Sequence, residues 1–147
     1  MPALTIFPIE RVPEVRAGDV LAELLVAAAE AQDTPFEARD CVVVTQKVVS
    51  KAEGRVVPLD ASDPGARRAL IESESARVLR RRDELLISET RHGFVCANAG
   101  VDLSNIPGGQ AALLPVDPDR SARRIRDGIR AHAGVDGDQS ARIYCHS

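Results

Sequence analysis

The sequence predicts a mixed α/β domain, with helices packed on a mixed sheet, and three observations carry that expectation. Aromatic residues are scarce: Phe7, Phe36, Phe94 and Tyr144 are present and tryptophan is absent. A core built from Val, Leu, Ile and Ala suits helices lying on a sheet better than an aromatic-rich sandwich. Short β-branched runs alternate along the chain with segments whose apolar residues recur at helical spacing. Finally, 147 residues fit one domain with a sizeable buried core.

Taken in order, Leu4 to Ile9 alternates weakly and reads as a first strand ending near Pro8. Val12 to Val15 then reads as a loop. Asp19 is placed to cap a helix starting at Val20, with Leu21, Leu24, Leu25 and Ala28 on one face. That helix should fade before Thr34-Pro35, because the residue before proline disfavours helical geometry. Cys41-Val42-Val43-Val44 is a continuous β-branched run, expected to be a strand buried on both faces. The polar segment Thr45 to Gly54 follows it directly and suggests a functional edge, and Val56 to Leu59 suggests another short strand.

Asp63-Pro64 pairs a capping carboxylate with a first-turn proline, a helix start. Leu70, Ile71, Val78 and Leu79 share a face, which extends that helix toward Arg82, although Ser73-Glu74-Ser75 interrupts the stripe. Leu85-Leu86-Ile87 and Phe94-Val95-Cys96 read as two strands joined at Thr90 to Gly93, where glycine frees the turn. Ala112 to Pro115 is a further apolar piece. Asp117-Pro118 repeats the helix start, Ala122, Ile125, Ile129 and Ala133 form its stripe, and Gly134 ends it. Ala141 to Cys145 reads as a last strand. No internal repeat or linker interrupts the single domain 1–147.

Composition excludes several function classes. The net charge of −3 gives no global attraction to nucleic acid or anionic lipid. Two local arginine sets stand out, Arg77, Arg80, Arg81 and Arg82, and Arg120, Arg123, Arg124, Arg126 and Arg130. No aromatic residues interleave with them, so they read as solvated faces and not as a single-strand platform. No apolar run approaches the ~18 residues of a membrane span. The start, Met1-Pro2-Ala3-Leu4, lacks the basic and apolar blocks of a signal peptide. With Cys41, Cys96 and Cys145 odd in number and widely spaced, reduced and buried thiols in the cytoplasm are expected.

Two segments can carry chemistry. Lys47 and Lys51 stand four apart just past a strand end, where two ammonium groups can hold phosphates. From spacing alone they fit two solvated lysines better. Between Arg91 and Asn105 small residues allow close backbone approach to a ligand, while Asp102 offers a hard carboxylate and Asn105 an amide. The plainer reading is a turn capped by Asp102 and Ser104. His92 beside Gly93 fits a structural histidine better than an acid–base group, and Asp117 and Asp119 fit capping. Neither Gly-x-x-x-x-Gly-Lys-Ser/Thr nor Gly-x-Gly-x-x-Gly occurs, so any nucleotide is bound outside those loops.

Three segments go further. Thr45 to Arg55, Arg91 to Asn105 and Leu114 to Ala122 resemble, in order and spacing, signatures of the coenzyme F420:L-glutamate ligase family; Phe7-Pro8-Ile9 and Val12-Pro13 look like its start. The resemblance covers Leu4 to Arg130. It implies a GTP-dependent ligase that adds L-glutamate by a γ-linkage to the precursor F420-0 through an acyl phosphate, with Mg²⁺ or Mn²⁺, and K⁺, as cofactors and a homodimer as its state. It implies that Val12, Pro13, Glu14, Val15, Gln46, Lys47, Lys51 and Asn105 touch the nucleotide and that Asp102 is a metal ligand. It assigns no catalytic residue.

The family pattern continues into an Asp-Thr-x-Gly-Arg segment with further metal ligands, and residues 135–147 do not match it. A single Asp102 is a poor Mg²⁺ site, since that ion prefers several oxygens in octahedral array. The expectation is therefore a truncated ligase, weakly active or inactive alone. The alternative is a non-catalytic binding or assembly module, such as one half of a split ligase.

Overall fold

The computed structural model describes residues 3–60, 62–103, 109–134 and 140–144. Four helices and seven strands are distributed along them: α1 (Leu21–Ala31), β1 (Cys41–Thr45), α2 (Gln46–Ala52), β2 (Val56–Pro58), α3 (Pro64–Glu74), β3 (Ser75–Arg82), β4 (Leu85–Thr90), β5 (Val95–Ala97), β6 (Gln110–Ala112), α4 (Pro118–Ala133) and β7 (Ser140–Tyr144). A single 3-10 turn, Asn98–Gly100, follows β5. The mixed α/β class is as expected, with the strands divided among three small sheets. β1 pairs parallel with β7, β2 antiparallel with β6, and β3-β4-β5 form an antiparallel sheet.

The main core lies between α1, α4, β1 and α2. Leu21, Ala22, Leu25, Val26 and Ala29 of α1 meet Ile125 and Ile129 of α4, with Val42, Val44 and Val49 beneath them. Aliphatic side chains supply nearly all of it, and Phe36 is its one aromatic. Gly128 lets the two helices close: a Cβ there would lie 2.5 Å from the Cβ of Ala22. A smaller core joins Ile71 of α3, Leu86 of β4 and Ala99.

Both Asp-Pro helix starts form as expected. Asp63 accepts from the amides of Gly65 and Ala66, and Asp117 from that of Arg120. Each satisfies first-turn donors that the helix itself leaves without partners. Gly134 ends α4 in the left-handed region, at φ 64°. The strand expected at Ala141 to Cys145 is β7, in register from Cys41↔Ser140 to Thr45↔Tyr144.

Five expectations are corrected. The Leu4 to Ile9 segment is not a strand; Leu4 and Ile6 are 86% and 87% exposed. Gln32 holds this stretch instead, donating to the Pro8 carbonyl and accepting from the Glu10 amide. Asp19 does not cap α1, whose N-cap is Val20 without a side-chain bond; its carboxylate closes the preceding turn through the Arg16 amide. β1 is buried on one face only, alternating through exposed Cys41 and Val43. The middle helix stops at Glu74, and Ser75 to Arg82 is strand β3. Ser75 turns there by donating its hydroxyl to the Ile71 carbonyl, and the β4 edge offers a ladder that outweighs helical propensity. The cysteines are not uniformly buried: Cys41 is exposed and Cys96 is intermediate. Cys145 lies outside the described residues.

Candidate functional site

α2 organises the candidate site. It begins directly at the end of β1, so the strand aims the helix, and its buried stripe is Gln46, Val49 and Ser50. This stripe recurs at i, i+3 and i+4, which sets Lys47 and Lys51 together on a neighbouring face one turn apart. Ser50 pins the helix by donating its hydroxyl to the Leu113 carbonyl at 2.5 Å. Gln46 is 2% exposed and its amide reaches the Gly100 carbonyl at 3.4 Å, so it braces the turn after β5.

That turn has an unusual backbone. Asn98, Ala99 and Gly100 are all left-handed, at φ 50°, 51° and 71°. Left-handed geometry costs an L-residue roughly 1–2 kcal/mol, so the surroundings must hold it. Asn98 does so by accepting from the Leu86 amide, and Ala99 by being buried. Gly100 has a second reason to lack a side chain, since a Cβ would lie 2.8 Å from the Leu114 side chain. The turn delivers Asp102, whose backbone pairs with Ala112 through two hydrogen bonds of 2.9 and 2.8 Å. The carboxylate is thus mounted on a fixed frame.

Two ion pairs decorate the α2 face. Lys47 Nζ lies 2.9 Å from Asp102 Oδ2, with both side chains about four-fifths buried. Lys51 Nζ lies 2.5 Å from Glu14 Oε1, with side-chain exposures of 18% and 71%. The Lys51 contact holds the Glu14 carboxyl below the ordinary glutamate range, first by hydrogen bonding and then by charge. The resemblance implied Lys51 on the nucleotide and Asp102 on a metal ion. The structure gives Asp102 to Lys47 and gives Lys51 to the 12–15 loop. Both loops nevertheless meet α2, so Lys47 and Lys51, one turn apart, each face a carboxylate from a different loop. Val15 anchors its loop in the core, Val12 packs against that core, and Pro13 and Glu14 are exposed. Asn105 lies outside the described residues.

Sequence reasoning missed α2 itself and the partnership of Glu14 with Lys51. The helix was legible in the Gln46, Val49, Ser50 spacing; the ion pair joins residues 37 apart in the chain and had no local signal. The basic sets make solvent-exposed ion pairs, Arg77 with Glu89, Arg81 with Glu72 and Arg126 with Asp127, as solvated faces do. His92 meets the Val116 carbonyl at 2.9 Å. Among the described residues no three His, Cys, Asp or Glu side chains gather as metal ligands. With the Asp102 carboxylate also ion-paired, those residues do not fit a resident divalent metal by themselves. None of the described helices is long and apolar enough to cross a membrane.

The comparisons with known proteins agree on one family. The family model described as F420-0:Gamma-glutamyl ligase matches residues 10–138, and the chain belongs to that family. Among its relatives are proteins named coenzyme F420:L-glutamate ligase. The chain is 41% identical to that of Methanopyrus kandleri, over 92% of its own length and 58% of the relative's. It is 40% identical to that of Haloarcula marismortui, over 90% and 57%. For that of Methanothermobacter thermautotrophicus the figures are 38%, over 83% and 54%. The chain thus spans little more than half the length of these curated relatives.

Proposed function

We propose that this chain forms the phosphate-holding part of a GTP-dependent ligase that joins L-glutamate to F420-0 through a γ-linkage. The observation that carries this reading is the α2 face, on which two lysines one turn apart meet the 12–15 loop and the segment that carries Asp102. Paired ammonium groups on a rigid helix suit the β- and γ-phosphates of a nucleotide, as point charges that need no bidentate geometry. In this reading Val12 to Val15 border the nucleotide, Lys47 and Lys51 neutralise phosphate oxygens, and Gln46 holds the turn that positions Asp102. Asn105 completes the set. Asp102 is the carboxylate met by a Mg²⁺ or Mn²⁺ ion arriving with the nucleotide.

The chemistry then divides in two. A carboxylate oxygen of F420-0 takes the γ-phosphoryl group as its bond to GDP breaks, leaving an acyl phosphate and GDP. The amine of glutamate bonds to the acyl carbon, the carbon–oxygen bond to phosphate breaks, and inorganic phosphate and a proton are released. Work at such a site is chiefly positioning and neutralisation of charge.

Titration calorimetry with GTP and Mn²⁺ tests the reading: heat saturating below millimolar nucleotide is expected, and its absence rejects it. The two carboxylates that the described residues bring to the site, Glu14 and Asp102, are both ion-paired, which favours a second reading of binding without turnover. Supplying F420-0, GTP, metal and glutamate separates the two, because only the ligase releases GDP in step with glutamate uptake. The proposal includes a homodimer, with sedimentation at micromolar concentration as its test.

A further inference from the structure

We infer that Glu14 is a placeholder anion: its carboxylate occupies the phosphate position on Lys51 and must be displaced before a polyphosphate can bind there. The inference rests on the nucleotide reading above and adds a role opposite in sign to direct contact, since Glu14 opposes the ligand that its loop borders.

The geometry carries it. Lys51 is largely buried along its stem, so its ammonium group is held near one place, whereas Glu14 is mostly solvent-exposed. Of the two, the carboxylate is the partner free to leave. Its departure need not move the loop. Val15 stays in the core, the Gly18 amide is bonded to the Ala52 carbonyl at 2.8 Å, and the Arg16 amide to Asp19. Upstream, Gln32 holds Glu10 and Pro8. None of these anchors uses the Glu14 side chain, so a rotamer change alone uncovers Lys51.

The consequence is a threshold. A carboxylate brings one negative charge and one contact to Lys51, and a polyphosphate brings several charges that can also reach Lys47 one turn away. Small carboxylates in solution bring the same single charge without the proximity of Glu14, which excludes them. Polyphosphates displace it. Glu14 thereby acts as a positioning residue that keeps Lys51 oriented and selects for multiply charged ligands.

The test titrates inorganic triphosphate without metal, and GTP with and without Mn²⁺, into the chain and its Glu14→Gln, Lys51→Gln and double variants at low ionic strength. Thermal melting at pH 7 confirms that each variant is folded. Removing Glu14 is expected to tighten triphosphate binding by about threefold or more, the scale of releasing one exposed ion pair. That gain should vanish in the Lys51→Gln background, which a merely structural role for Glu14 does not predict. Unchanged or weaker triphosphate binding by folded Glu14→Gln overturns the inference, and if wild type still binds GTP the proposed function survives. Tighter triphosphate binding with no GTP binding upholds the placeholder and rejects the nucleotide reading. Failure of every protein to bind either ligand rejects both.

Discussion

At Lys51 a single ammonium group faces two possible partners, and the measurable differences follow from which one holds it. Hydrogen bonds to charged groups contribute about 1.5–3 kcal/mol, so Lys51→Met is expected to weaken GTP binding by at least about tenfold, read by calorimetry. Lys47→Met should do likewise, and should also leave Asp102 facing the site without its 2.9 Å partner. The Glu14 carboxyl has a pH signature. Its folded-state affinity for protons is lowered by Lys51, so the ion pair adds stability above the ordinary glutamate range. That contribution is lost as pH falls through the depressed value. Urea midpoints of wild type should therefore exceed those of Glu14→Gln at pH 7, and the difference should close below the ordinary glutamate range; a gap that persists there would count against the ion pair.

Among the elements, helix ends and one helix crossing carry the clearest tests. Asp117 caps α4 through the Arg120 amide, and Asp117→Ala should cost about 1 kcal/mol in urea unfolding. At Gly128 two effects compete. Alanine improves helix propensity by up to about 1 kcal/mol. The new Cβ, however, would sit 2.5 Å from that of Ala22, and overpacking costs roughly 1–3 kcal/mol. The Ala22 Cβ is not a flexible side-chain end, so Gly128→Ala should destabilise despite its propensity gain, by about 1 kcal/mol or more. The helix starts at Asp63 and Asp117 were legible because capping is local, with donor and acceptor within three residues of each other. The end of α3 was not. Leu70, Ile71, Val78 and Leu79 fit a helical stripe, but β4 supplied hydrogen-bonding partners that a periodicity argument does not see. For β1 the error was similar: β-branched residues announce a strand, while the number of faces covered depends on what packs against it.

For the whole molecule, the pairing of β1 with β7 joins residues 41–45 to 140–144, about two thirds of the chain apart. Removing residues 140–147 should expose the free edge of β1, lower the melting temperature by roughly 2–4 °C for each kcal/mol lost, and speed amide exchange in Cys41–Thr45. Unchanged exchange there would mean that β1 is held without its partner strand. By itself the sequence determined the mixed α/β class, the capped helices, most strands and the family, because each rests on short-range propensity or on contiguous motifs. It also pointed to the residues of the candidate site one by one. Which lysine meets which carboxylate was decided by tertiary structure alone. Ion pairs between residues far apart in the chain depend on how a strand aims a helix and how a left-handed turn presents its next residues, and neither has a local code.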